Sequence, residues 1–216
     1  MKILSPFQKR IITTVILISI AISGYLLSKV VEQQMRKTEF SELLLKTQML
    51  ALLISPDEIN QLKANEEDLM NPIYLELKKK LIEVKNINAD AKYIYLLGLN
   101  ESTEQFYFVG SELDTSNAYI APGTLNEEAV RKDIRDHLAG SVHVYGPYET
   151  SEGEWISAYA PILNDDGSVS AVVRMDVESE KVVLLITIVR RAILLITALV
   201  VALLLLMYLS DQTRKD

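Results

Sequence analysis

Two long runs of uncharged, mostly apolar residues lie near the two ends of the chain. The first run covers residues 11–28 and the second covers residues 192–209, eighteen residues each. At about 1.5 Å of rise per residue, a helix of that length reaches about 27 Å, close to the thickness of the hydrocarbon core of a bilayer. The pattern therefore predicts two membrane-spanning helices, with a folded segment of residues 29–181 between them.

A cleavable signal peptide is the alternative interpretation of the first run. Signal peptides have apolar cores of about 7 to 15 residues that end at a small-residue cleavage site, whereas this run is longer. Residues 1–10 contain the basic cluster Lys2, Lys9 and Arg10, which by the positive-inside rule keeps them cytoplasmic. We expect a two-pass protein of the cytoplasmic (inner) membrane, with the folded segment outside and residues 210–216 in the cytoplasm.

Arg190 and Arg191 stand directly before the second run. An arginine at the centre of a span costs about 2.5–3.5 kcal/mol on insertion scales. Both side chains are therefore expected at the outer interface of the membrane, where long basic side chains can snorkel towards water. Residues 182–191 then form a juxtamembrane helix that joins the folded segment to the second span.

Helical periodicity continues beyond the first span. Val31, Met35 and Leu45 recur at near-helical spacing, which predicts a helix that extends to Leu53. An isolated helix would expose this apolar stripe to water, so we expect the chain to form a homodimer through it. Residues 55–58 then have the form of a capping box with proline at the first helical position, which predicts a new helix.

A further helix is predicted to open at Asn71-Pro72. Its apolar face contains Leu77 and Leu81 at four-residue spacing. The lysine run of residues 78–80 lies mostly off this face and is predicted to be solvent-exposed instead of forming a binding patch.

From Lys92 the apolar period changes from helical to two, and aromatic and β-branched residues lie between turn signals. The pattern predicts five strands with short links that require antiparallel neighbours. A polar loop over 111–123 and a helix over 125–138, which starts at a capping box on Thr124, separate the second strand from the third. The predicted strands are residues 92–99, 105–110, 142–145, 155–163 and 169–177.

Strand parity divides this sheet into two faces of different chemistry, because alternate residues of a strand point to the same face. One face is aliphatic, with Val173 and Met175 as examples, and suits packing on the long N-terminal helix. The other face suits a pocket for a small polar ligand, an amine or a zwitterion. Its residues are Tyr93, Tyr95, Trp155, Ser157, Tyr159, Arg174 and Asp176.

The polar loop is the predicted lid of this pocket, with Asp114 and Tyr119 as candidate ligand contacts. The alternative is that the polar face is merely solvated, as in many one-sided antiparallel sheets. If the pocket interpretation holds, replacing Asp176 with alanine should weaken binding while changing stability little, because the aliphatic face would carry the fold.

At these residues the sequence resembles the single Cache domains, PAS-like extracytoplasmic sensors of bacterial diguanylate cyclases, histidine kinases and chemoreceptors. The similar stretches are YIYLLGLN at 93–100, GPYETSEGEWISAYAPI at 146–162, NDDG at 164–167 and SAVVRMDV at 170–177. The resemblance implies an α+β fold, with a PAS-like five-stranded antiparallel sheet backed by the long helix. It also implies that Asp176 receives a ligand amine and that an output domain follows the second span.

Charge and motif content narrow the function classes. Residues 32–181 contain 14 Lys and Arg against 27 Asp and Glu, a net charge of −13, so nucleic acid is not an expected partner. The chain has no cysteine, nucleophile elbow, phosphate-binding loop or dinucleotide fingerprint. His137 and His143 are predicted to be structural, and Asp165-Asp166 to form a turn instead of a calcium site.

The sequence therefore predicts no catalytic residue, metal or cofactor in this chain. The expected partners are a small-molecule ligand, the lipid bilayer and a second copy of the chain. The leading hypothesis is a signal-input module that transmits ligand binding through the second span. The alternative is a non-sensing scaffold that dimerises or binds an envelope protein.

Overall fold

The computed structural model describes residues 5–100, 102–127, 136–150 and 153–213. The chain divides into two compact units. One unit comprises residues 1–38 and 181–216, and the other comprises residues 39–180.

Two long helices supply the first unit. Helix α1 runs over Pro6–Leu52 and helix α4 over Ser179–Thr213, so the predicted continuation of the first helix beyond its apolar run is confirmed. Both helices are long and apolar enough to cross a membrane. The exact membrane boundaries stay a prediction.

The two helices of this unit approach each other at small and charged residues. A side chain at Gly24 would collide with the side chain of Thr197, so the glycine permits the close approach. Nearer the predicted outer interface, Arg190 Nη1 lies 3.7 Å from Glu32 Oε2. This contact gives Arg190 an ionic partner, and its position at the outer interface of the membrane stays a prediction.

Short capped helices follow the end of α1 in the second unit. Helix α2 covers Pro56–Ile59, where Ser55 Oγ accepts a hydrogen bond from Asp57 N and Glu58 Oε2 accepts one from Ser55 N. A 3₁₀ helix follows at Glu66–Met70, and helix α3 covers Pro72–Ile87 with Asn71 as its N-cap. Both helix starts predicted from the capping residues are confirmed.

The sheet of the second unit has five antiparallel strands in the order β2-β1-β5-β4-β3. This is the predicted antiparallel sheet, and it confirms the α+β fold class. Strand β3 continues beyond Tyr145 because Tyr148 pairs with Trp155 after a register shift. Its Gly146-Pro147 pair is tolerated because β3 is an edge strand. The strands are β1 Ala91–Leu99, β2 Gln105–Gly110, β3 His143–Thr150, β4 Gly153–Leu163 and β5 Val169–Glu178.

The start of the helix predicted over residues 125–138 is wrong. Leu125 forms a β-bridge with Phe106, and Asn126 N donates to Gln105 O at 2.8 Å. The chain therefore stays extended beside β2 where a capping box was expected. Most of the predicted helix lies outside the described residues, although residues 136–138 are helical.

Both faces of the sheet are buried at its centre. On the aliphatic face, Ile94 and Val173 are fully buried. On the opposite face, Asp176 is 2% exposed and Arg174 is 6% exposed. The polar face is therefore not solvated, which rules out the alternative of a one-sided sheet.

Candidate functional site

A cavity of about 160 Å³ lies on the polar face of the sheet. Strands β1, β4 and β5 supply most of its wall, as parity predicts, and the polar loop contributes Ile120. Five of the residues predicted for the site lie together here: Tyr93, Tyr95, Trp155, Arg174 and Asp176. Its other lining residues are Tyr107, Ile120 and Thr150.

A buried charge pair forms the polar part of the cavity wall. Arg174 and Asp176 are two residues apart on β5 and share a face, and Arg174 Nε donates to Asp176 Oδ1 at 2.8 Å. Ser157, the register partner of Asp176 on β4, donates from Oγ to the same oxygen at 2.5 Å. Both of these hydrogen bonds go to the same carboxylate oxygen of Asp176, Oδ1. The Asp176 carboxylate is therefore held through Oδ1 at the wall of the cavity.

The guanidinium group is held from a second side as well. Arg174 Nη2 donates to Tyr148 Oη at 2.8 Å. Burial alone would lower the pKa of Arg174, but the Asp176 carboxylate and the nearby tyrosines raise it well above its ordinary value. The arginine is therefore charged, and the pair presents both signs of charge with no net charge.

Aromatic rings form the rest of the wall. The ring centroids of Tyr93 and Trp155 are 5.3 Å apart, and those of Tyr95 and Tyr107 are 5.0 Å apart in an edge-to-face arrangement. Burial, followed by the charge of Asp176, raises the pKa of Tyr95, so its hydroxyl group stays neutral. These rings present apolar faces with hydroxyl groups, a composition suited to a small polar ligand.

Two predicted site residues support the cavity without lining it. Ser157 is fully buried and holds Asp176, as described above. Tyr159 belongs to the packed cluster with Tyr95 and Tyr107, and its ring stacks on His143 with 4.6 Å between centroids. Both side chains lie on the predicted face, but their contacts are with protein groups.

The predicted lid contacts, Asp114 and Tyr119, lie elsewhere. Asp114 forms an ion pair with Lys78, whose Nζ is 4.6 Å from the centroid of the Tyr119 ring. Lys78 is 7% exposed, so the prediction of a solvent-exposed lysine run is wrong at this residue. The carboxylate and the ring compensate the buried ammonium group, whereas the neighbouring Lys79 is exposed.

Sequence reasoning missed Tyr107 and the polar chain behind it. Tyr107 Oη donates to Asn126 Oδ1 at 3.1 Å, and Asn126 Nδ2 donates to Gln105 Oε1 at 2.6 Å. Gln105 Nε2 then lies 3.3 Å from His137 Nδ1. Because the glutamine oxygen is already accepting, its nitrogen donates and the histidine nitrogen must accept. Parity on β2, which places Gln105 and Tyr107 on one face, was the available signal.

This chain of hydrogen bonds explains why the ring of His137 is neutral. The side chain is buried, and burial lowers its pKa from 6.5 to about 4. A neutral ring with an accepting Nδ1 satisfies the amide of Gln105. The residue therefore has the structural role expected from the sequence, and it orients Tyr107 through two amide side chains.

A larger, more open cleft of about 420 Å³ lies beside the β4–β5 hairpin and residues 137–140. Leu163 and Val169 are among its lining residues, and the lining contains no carboxylate, lysine or arginine among the described residues. Likewise, no group of three or more potential metal ligands occurs within the described ranges. The charge pair and the aromatic wall make the smaller cavity the candidate site.

The comparisons with known proteins give matches among solved structures alone. No family model and no curated protein matches the sequence. The isoleucine-bound sensory domain of the Campylobacter jejuni chemoreceptor Tlp3 matches with a TM-score of 0.47 and 18% identity, over 85% of this chain and 67% of that one. The periplasmic sensory domain of Campylobacter jejuni Tlp1 matches with a TM-score of 0.46 and 12% identity, over 73% and 60%.

The extracellular domain of a protein described as the histidine kinase mmHK1S-Z2 matches with a TM-score of 0.44 and 13% identity, over 71% of this chain and 58% of that one. The chain thus spans about two thirds or less of the length of these domains. The neighbours are sensory domains of chemoreceptors and histidine kinases. At this level of identity the likeness concerns the fold alone.

Proposed function

We propose that the chain is a membrane-anchored extracytoplasmic sensory module of the single Cache type, which binds a small polar ligand and transmits binding through its second span. The observation that carries the proposal is the Arg174–Asp176 pair. Both charges are buried at the wall of an aromatic cavity, and the hydrogen bonds from Arg174 and Ser157 to the carboxylate both go to Oδ1. A buried ion pair is often no more stabilising than a well-packed apolar pair, so ligand binding supplies a reason for keeping these two charges.

The size and charge of the cavity define the class of ligand. Its volume of about 160 Å³ corresponds to about five waters at roughly 30 Å³ each, and it is smaller than the 300–1,000 Å³ typical of drug-sized sites. An ammonium group would bind Asp176 Oδ2 and face the rings of Tyr93 and Trp155. A carboxylate on the same molecule would bind Arg174. We therefore propose a small amine or zwitterion.

Transmission follows from the connection between the site and the second span. Strand β5 carries Arg174 and Asp176 and ends at Glu178, and α4 begins at the next residue. Residues 178–189 contain no glycine or proline to absorb a displacement. We propose that the output is a diguanylate cyclase or histidine kinase domain and that any catalytic activity of the receptor belongs to that domain.

The experiment is a thermal-shift screen of the full chain in nanodiscs. The library contains amines, zwitterions, carboxylates and neutral alcohols of up to about eight heavy atoms. A ligand at 100 times its Kd stabilises the folded state by about 2.7 kcal/mol, so binding raises Tm. We expect amines or zwitterions to raise the Tm of the parent and to leave the Tm of the double variant Arg174→Met/Asp176→Leu unchanged. If no compound shifts the parent, the sensing proposal fails.

The non-sensing scaffold is the second candidate function, because one observation favours it. The aromatic side chains of the polar face pack on each other and leave a small cavity. Helix α1 also exposes apolar side chains, with Leu45 at 56% and Leu52 at 87% exposure, as a homodimer interface would require. Single-cysteine variants along residues 31–49 should crosslink with helical periodicity if the chain dimerises there. Crosslinking together with a blank ligand screen would favour the scaffold.

A further inference from the structure

The loop over residues 111–123 is fixed at its two ends. Ser111 N donates to Ile94 O at 2.8 Å on β1, and Gly123 N donates to Tyr107 O at 2.8 Å on β2. Between these ends, Ser116 N donates to Leu113 O and Tyr119 N donates to Ser116 O, so these backbone bonds lie within the loop. Side-chain contacts therefore decide how the middle of the loop sits over the cavity.

Helix α3 supplies two such contacts from one of its faces. Lys78 and Lys85 are seven residues apart, which places them on the same side of the helix. Lys78 forms an ion pair with Asp114, and Lys85 forms one with Glu112. The cation of Lys78 also lies over the ring of Tyr119, and Tyr119 directly precedes Ile120, the loop residue that lines the cavity.

The second lysine connects the loop with the cavity wall itself. Lys85 Nζ lies 5.8 Å from the centroid of the Tyr93 ring, and Tyr93 lines the cavity. The Lys85 and Glu112 side chains are 25% and 13% exposed. By contrast, the Lys78 side chain is 9% exposed while that of Asp114 is 64% exposed. The Lys85–Glu112 pair is thus shielded from solvent at both side chains, whereas the Lys78–Asp114 pair is exposed at Asp114.

We propose that Lys78 and Lys85 are positioning residues that latch this loop over the cavity, so that a ligand enters when the ion pairs to α3 open. The buried ammonium of Lys78 would lose its compensation if the loop moved away, which favours the closed position. The identity of what enters rests on the proposed function. The latch itself can be tested without any ligand, so the two proposals fail separately.

Trp155 provides the readout, because it is the one tryptophan in the sequence and lines the cavity. Acrylamide quenching of its fluorescence in the full chain reports how often the cavity opens to a small neutral molecule. Lys78→Met keeps the apolar stem but removes the charge, and Asp114→Asn removes the charge on the loop side. Lys79→Met is the matched control, because Lys79 is exposed and pairs within α3 with Glu83.

The latch predicts that Lys78→Met and Asp114→Asn each raise the quenching rate constant, by about threefold to fivefold for loss of an ion pair of ordinary strength. The Lys79→Met control should quench like the parent. Raising NaCl should increase quenching in the parent and have little effect in Lys78→Met, since the solvent-exposed Asp114 is open to screening.

Several results would overturn the latch. Quenching that is equal in the parent and both latch variants would show that the Lys78–Asp114 pair does not hold the loop. A rise in Lys78→Met without one in Asp114→Asn would assign the effect to packing of the lysine instead of the ion pair. Salt-independent quenching in the parent would likewise contradict an electrostatic latch.

Discussion

The two faces of the sheet are buried to a similar degree but are built from different chemistry. Ile156 on the aliphatic face is 1% exposed, and Asp176 on the opposite face is 2% exposed. Burial of the aliphatic side chains stabilises the folded state by about 25 cal/mol per Å² of apolar surface removed from water. Arg174 and Asp176 lose hydration when buried. Their mutual hydrogen bond, the bond that Ser157 donates to Asp176 and the bond that Arg174 donates to Tyr148 offset this cost.

This difference indicates a division of roles between the faces. A well-packed apolar pair in place of a buried ion pair is often neutral or stabilising, so folding alone does not explain Arg174 and Asp176. The aliphatic face stabilises the fold, and in the proposed function the polar face binds the ligand. Predictions that separate stability from binding test this division.

The largest expected effect is on the charge pair. Asp176→Ala leaves Arg174 buried without its partner and should lower the free energy of unfolding by about 3–5 kcal/mol. This replaces the expectation from sequence that stability would change little, because Asp176 is buried and bonded instead of facing open space. Urea unfolding followed by Trp155 fluorescence measures the change.

The matched control removes both charges at once. Arg174→Met/Asp176→Leu should retain stability close to that of the parent, because no isolated charge is left. If Asp176→Ala is as stable as the double variant, the pair is not energetically coupled and the comparison of faces fails.

The aliphatic face gives the next effect. Ile156→Ala should lower the free energy of unfolding by about 2–5 kcal/mol, as is usual for large-to-small changes in a core. Ligand affinity of the folded protein should be unchanged. Leu163→Ala, on the same strand but 48% exposed, should cost less than about 1 kcal/mol. A strong loss of affinity in Ile156→Ala would show that the faces are not independent.

Acid should weaken the polar face through His137. Burial lowers its pKa from 6.5 to about 4, so between these pH values the unfolded chain binds a proton that the folded chain does not. The free energy of unfolding therefore has its full value above about pH 6.5 and decreases by roughly 2–4 kcal/mol as pH falls towards 4. Urea midpoints measured across this range should show the slope.

Two histidine variants sharpen the acid prediction. His137→Gln keeps an acceptor for Gln105 but does not titrate, so it should remove this part of the slope. His143→Gln keeps His137 and should retain it. An unchanged slope in His137→Gln would show that another group is responsible.

A smaller effect is expected at Ser157. Its hydroxyl group donates to Asp176 Oδ1 and lies 2.7 Å from Tyr148 Oη. Ser157→Ala should cost about 1.5–3 kcal/mol, the usual range for a hydrogen bond to a charged group. The control is Ser157→Thr, which keeps the hydroxyl group. Ala158→Gly on the aliphatic face is less suitable, because glycine adds backbone entropy to the unfolded chain. Equal losses in the Ala and Thr variants would assign the effect to packing.

Much of the sheet could be predicted from sequence because the period-two pattern encodes which side chains share a face. Parity alone placed Tyr93, Trp155 and Arg174 on one face, and the structure brings them to one cavity. These features depend on local geometry that the chain carries in its own spacing.

Other features depend on contacts between distant segments, which a linear pattern does not contain. Lys78 looks like part of a solvated run, but its burial depends on Asp114 and Tyr119, more than thirty residues later. Leu125 follows a capping signal, yet its neighbours pair with β2 and keep it extended. At both residues the local signal, a charged run or a capping sequence, is real. Tertiary contacts override it and determine where the side chain lies.

The most direct test of the central claim is calorimetric titration of the full chain in nanodiscs with the amine or zwitterion that the screen returns. We predict heat of binding with the parent and none with Arg174→Met/Asp176→Leu, although both proteins unfold at similar urea concentrations. Binding of equal affinity to the two proteins would contradict it, because the ligand would then not use the buried charge pair.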